Sequence, residues 1–195
     1  VTGEAVAVMR AGGLAGLRVG VNVSTHQLHD PAFGPLVREV LEECGLPGPL
    51  LDLEITESAL ARDVPAVASL LSGIKALGTS VSIDDFGTGY SGLSSLRQLP
   101  FDTLKIDRSF VANLPAATGS VAIVDALMMM ARNLRMTTIA EGVETPAELA
   151  HLRAIGCDQL QGYLFSRPVP PEELAAMVAE GKTLSFPDPE PEAAG

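Results

Sequence analysis

Cysteine is nearly absent: Cys44 and Cys157 are the only two in 195 residues, far apart and without CxxC spacing. That excludes a disulfide framework, offers no thiolate zinc site, and fits a reducing, cytoplasmic compartment. Basic residues are scarce as well, 13 Lys and Arg against 24 Asp and Glu, for a formal charge of −11. So acidic a chain is unsuited to tracking a phosphate backbone, so neither DNA nor RNA is expected as a partner. Chemistry on a phosphate would need metal ions to screen the chain's own carboxylates. No apolar run reaches membrane-spanning length, and the N-terminus lacks the basic start and cleavage site of a signal peptide. GxSxG and Walker sequences are missing too. What is present is 47% apolar residues with positive mean hydropathy. That rules out wholesale disorder and suffices for one domain with a core.

Strand-like runs alternate with amphipathic segments along most of the chain. The strand candidates are LRVGVNVS (17–24), LLDLEIT (50–56), SVSIDD (80–85), TLKID (103–107), TTIAEGV (137–143) and QLQGYLF (159–165). Helical patterns occupy 31–45, 64–78, 91–99, 121–134 and 146–156, with stop glycines at Gly45, Gly78 and Gly156. Serial βα units predict a parallel sheet, closed as a barrel or open and doubly wound. Polar residues separate the two. Asn22, Glu54, Asp84, Lys105, Glu141 and Gln161 each fall at or near the C-terminal end of a different strand. An open sheet would gather ligands only at its switch point, whereas every strand of a barrel ends at one mouth, so the barrel is favoured.

Those ends suggest a chemistry. Asn22, Glu54 and Asp84 are hard oxygen donors suited to Mg²⁺ or Mn²⁺. Asp85 adds a carboxylate directly beside Asp84, an arrangement that like-charge repulsion disfavours unless a cation lies between the two. Two such ions would clamp the attacking and leaving oxygens of a phosphoryl displacement. Lys105 could position a water or neutralise a developing oxyanion, and Glu141 could hold the second ion or accept the nucleophile's proton. Taken singly, each of these is more often a rim residue or turn former, and Gly87 with Gly89 an ordinary turn. Their joint placement lifts the metal reading above that. His26 and His29 read as a solvated helix start and His151 as exposed. Met128, Met129 and Met130 read as packing a helix on the barrel.

VNVS (21–24), LEITES (53–58), IDDFGTGYS (83–91), LKID (104–107), IAEGVE (139–144) and QGYLFSRP (161–168) resemble, in order and spacing, the EAL domain of bacterial cyclic di-GMP phosphodiesterases, over roughly residues 17 to 175. The resemblance implies a TIM-like (β/α)₈ barrel that hydrolyses cyclic di-GMP to linear pGpG with two ions, Mg²⁺ or Mn²⁺. It marks Asn22, Glu54, Asp84 and Asp85 as metal ligands, with Asp84 bridging, and Glu141 as associated with the second ion and the attacking water. Lys105 matches the lysine that contacts that water, and Gln161 a glutamine at the substrate site. Glu57 matches the glutamate bracing the loop Phe86 to Ser91, and Glu144 a supporting residue.

One departure stands out. The family's namesake Glu-Ala-Leu is expected well upstream of VNVS. Glu4-Ala5-Val6, with Arg10 after it, lies too close to Asn22 to be that motif and reads as the end of a helix. About the first two βα units are therefore expected to be missing, with the EAL domain over 1–183 and an acidic, proline-rich disordered tail over 184–195. Weak hydrolysis by the chain as given follows from that expectation. The alternative function is an inactive EAL-like module that binds cyclic di-GMP or a protein partner. A homodimer, and a linked sensory or GGDEF domain outside the chain, stay open.

Overall fold

Six strands lie side by side in the order in which the chain makes them. In the computed structural model, which describes residues 17–60, 63–87 and 93–182, they are β1 (Val19–Val23), β2 (Leu51–Thr56), β3 (Ser80–Phe86), β4 (Thr103–Ile106), β5 (Thr137–Ala140) and β6 (Gln159–Leu160). Every neighbouring pair is parallel and the order β1 to β6 never reverses. Without a reversal there is no switch point, and the sheet is a partial TIM-like barrel.

Helices separate the strands: α1 (Thr25–Leu28), α2 (Phe33–Cys44), α3 (Val64–Lys75), α4 (Leu93–Gln98), α5 (Arg108–Val111), α6 (Thr118–Leu134), α7 (Pro146–Ala154) and α8 (Pro171–Ala179). The longer ones bury one stripe each: Phe33, Val37 and Leu41 on α2; Val67, Leu71 and Ile74 on α3; Val124, Leu127, Met128 and Ala131 on α6. Spacings of three and four residues put each set on one helical face. Gly45 ends α2 in the left-handed region at φ 56°, its N–H bonded to Leu41 and Glu42 carbonyls. Against those stripes lie Leu51, Leu53, Ile55, Val81, Ile83, Leu104 and Ile106, all essentially buried. Strand alternation then sends Asp52, Glu54, Ser82, Asp84, Thr103 and Lys105 to the opposite, inner face.

At the N-terminal rim, the residue just before a strand reaches back to the preceding strand. Asp102 accepts from the Val81 N–H at 3.0 Å and from Lys75 Nζ at 2.5 Å. Asp158 accepts from the Thr138 N–H at 2.8 Å and the Thr138 hydroxyl at 2.7 Å.

Several boundaries differ from the sequence expectation. The segment 159–165 contains only the two-residue β6, because Gly162 packs directly on the Val143 backbone, where a side chain would not fit. Strand 137–143 stops at Ala140, and Gly142 (φ 70°) then turns the chain. The solvated helix start read at His26 and His29 is a short separate helix, α1, whose Ser24 and Gln27 form a capping box; α5 and α8 were not foreseen. Of the three methionines, Met128 is buried while Met129 is 63% exposed, so the trio does not pack as a unit. His151 is half-buried rather than exposed, held inward by its place on α7 between Leu149 and Leu152, both buried. The Glu4 to Arg10 segment, residues 88–92 of the glycine loop and the 184–195 tail lie outside the described residues. Among the described residues, no helix is long and apolar enough to cross a membrane.

Candidate metal centre

Two adjacent strand residues ordinarily point to opposite faces. Asp84 and Asp85 escape that rule because β3 carries a register shift against β4 between Ile83 and Phe86, and Asp85 sits there at φ 53°. A bulge with a left-handed residue re-aims the second side chain, at a conformational cost that the surroundings must offset. As a result Asp84, Asp85 and Glu141 each offer a carboxylate oxygen, all within 4.8 Å of one another. Three hard anionic donors at that separation fit a divalent ion such as Mg²⁺ or Mn²⁺.

Lys105, on β4 and only 4% exposed, is the positive centre of the site. Its Nζ lies 2.7 Å from Glu54 Oε2, 2.7 Å from Glu141 Oε1 and 3.1 Å from Asp84 Oδ1. Burial opposes its charge, but hydrogen bonds to Glu141 and Glu54 outweigh that and push its pKa above the usual lysine value, so it stays an ammonium. Burial raises Glu141 above the ordinary carboxylate range, and the charges of Asp84 and Glu54 add to this against the opposing pull of Lys105. Burial likewise raises Asp85, reinforced by Asp84 and Asp107. The site thus crowds more negative charge than one lysine neutralises, a setting that favours cation uptake.

The remaining expected residues are distributed around this centre. Asn22 is on β1, exposed and opposite Glu54 in register. Glu54 is outside the three-acid cluster, turned to Lys105. Glu57, 3% exposed, accepts from the Gly87 N–H at 3.0 Å, bridging the turn after β2 to the start of the loop after β3. Gln161 pairs through its backbone with Ala140 and Val143. With Tyr163, Phe165 and Arg167 it lines a cavity of about 520 Å³ that none of the clustered acids borders. Glu144 gives its backbone N–H to Glu148 Oε2 at 2.8 Å.

Three residues were given no role in the sequence reading. Glu148, 5% exposed, also accepts from the N–H groups of Thr145 (3.0 Å) and Asn113 (3.2 Å), so it holds the segment just after Glu141 against the turn following α5. Its signal was legible as the T-x-x-E capping box at 145–148. Asp107, two residues beyond Lys105 and hence on the same side, bonds to Ser109 and faces Asp85. Asp52, two residues before Glu54, is buried beneath the site, its Oδ2 accepting from Ser82 Oγ at 2.6 Å while Oδ1 has no hydrogen-bond partner among the described residues.

The sequence profile of the EAL domain matches residues 1–168, so the likeness begins ahead of Leu17, where the motifs alone had placed it. The chain is 48% identical over 154 residues to the cyclic di-GMP phosphodiesterase NbdA of Pseudomonas aeruginosa, covering 79% of this chain and 20% of that protein. It spans about a fifth of the length of the curated relatives it matches. The PaMucR phosphodiesterase, solved as a c-di-GMP complex, superposes with a TM-score of 0.82 at 41% identity, covering 89% of this chain and 71% of that one. A manganese and cyclic di-GMP complex of Klebsiella pneumoniae BlrP1 gives 0.78 at 31% identity, covering 85% of this chain and 43% of that one.

Proposed function

Because the chain belongs to the EAL domain family, we propose that it is the catalytic domain of a cyclic di-GMP phosphodiesterase, yielding linear pGpG with two divalent ions, Mg²⁺ or Mn²⁺. The observation that carries this reading is the convergence of Asp84, Asp85 and Glu141 within 4.8 Å beside a buried, charged Lys105. Asp84 is assigned as the carboxylate shared by both ions, Asp85 and Glu141 as ligands of one, and Asn22 and Glu54 as ligands of the other. Ions so held would polarise the scissile phosphate and lower the pKa of an attacking water. Lys105 orients that water and offsets charge developing on the phosphate oxygens. Glu141, whose carboxyl is raised by burial, takes the water's proton. Gln161 contacts the substrate, and Glu57 and Glu144 steady the loops that carry the acids.

The test follows pGpG formation from cyclic di-GMP with Mn²⁺. Wild type should produce it above background, even if slowly, and Glu141→Gln and Lys105→Met should lower kcat by about a hundredfold or more while binding changes little. Cyclic di-GMP binding without any pGpG would instead identify a non-catalytic binding module.

A further inference from the structure

The proposed reading requires Glu54 among the metal's donors, yet the structure holds that carboxylate elsewhere. Glu54 Oε2 accepts from Lys105 Nζ at 2.7 Å. The other oxygen, Oε1, lies over the backbone of Gly20 on the adjacent strand. Gly20 stands opposite Asp52, two positions before the Asn22–Glu54 pair, so Glu54 leans back along the strands, away from the mouth. We propose that Gly20 is a positioning residue: its bare Cα opens a resting place in which Glu54 pairs with Lys105, and that place competes with the metal for Glu54. The inference rests on the metal reading above.

Space, not backbone geometry, is what glycine supplies here. Gly20 is not among the positive-φ glycines, so its conformation is open to any residue. A β-carbon there would stand 2.9 Å from Glu54 Cδ and closer still to Oε1. Glycine inside a strand weakens it and often marks a close approach, here by a carboxylate. The group obliged to yield to a larger residue is the tip of a flexible side chain, which can rotate toward the mouth. Lys105 would keep Glu141 at 2.7 Å and Asp84 at 3.1 Å, so it would not be left unpaired. Removing the resting place raises the population of the metal-competent arrangement, and apparent affinity rises in proportion.

Calorimetric titration with Mn²⁺ alone tests this on wild type, Gly20→Ala, Glu54→Gln and the double variant. Gly20→Ala should bind Mn²⁺ about three- to thirtyfold more tightly, and the gain should vanish in the Glu54→Gln background. A structural defect would weaken binding, not strengthen it. Equal or weaker binding by Gly20→Ala, or its failure to fold, would overturn the inference alone, since only a side-chain tip is held to give way. A wild type that binds no Mn²⁺ would overturn the metal reading and this inference with it.

Discussion

Asp52 shows how much a single buried carboxyl can matter without touching a ligand. Burial raises its pKa, opposed by Ser82 and by the charges of Arg18 and Lys105, and Oδ1 has no hydrogen-bond partner among the described residues. The stability contributed by a group with a raised folded pKa is complete below the unfolded carboxylate range, near pH 4, and is lost as pH climbs through the folded value. Asp52→Asn removes that loss. It should be more stable than wild type at pH 7 by about 1 kcal/mol, or about 2–4 °C in Tm. The gap should close below about pH 4. Thermal melts of both proteins across that range check it, and a gap independent of pH would refute the assignment. Asp52 was invisible in the sequence because its significance depends on depth: LLDLEIT reads as a strand whether its acid is buried or wet. The paired Asp84 and Asp85 were legible for the opposite reason, since adjacent acids ending an apolar run are anomalous in any context.

Among the elements, the alternation of strands and helices could be read from apolar periodicity, and so could the choice of a barrel from one polar group per strand end. Strand ends were not, because Gly142 and Gly162 shorten β5 and β6 through contacts with Arg108 and Val143, which periodicity does not encode. The bulge that aims Asp85 was likewise unreadable, arising from the mismatch of two registers. Between elements, Glu148 is the clamp to test. Its carboxylate satisfies three backbone N–H groups from two loops. Glu148→Ala should cost about 1–3 kcal/mol and speed hydrogen exchange at the Glu144 and Thr145 amides, because part-buried donors lose their acceptor. Glu148→Gln keeps one acceptor oxygen and should lose roughly half as much. Unchanged exchange at those amides in Glu148→Ala would show that the helix cap alone holds the loop.

On the scale of the whole molecule, a domain of net charge −11 that collects several acids at one end should be stabilised by a bound divalent cation. Mn²⁺ at a hundred times its dissociation constant should add about 2.7 kcal/mol, raising Tm by about 5–10 °C. A chelator should reverse the shift, and Asp84→Asn should abolish most of it. An equal shift in Asp84→Asn would place the ion elsewhere. The opposite rim works differently. There Asp102 ties β4 to β3 and Asp158 ties β6 to β5, each from the residue before the strand begins, so these two junctions are aligned by residues remote from the mouth. Inheritance of the scaffold and inheritance of the chemistry are thereby separated. Loops after the strands can be exchanged between such domains by grafting, while the stitched floor carries the architecture unchanged from one donor to the next.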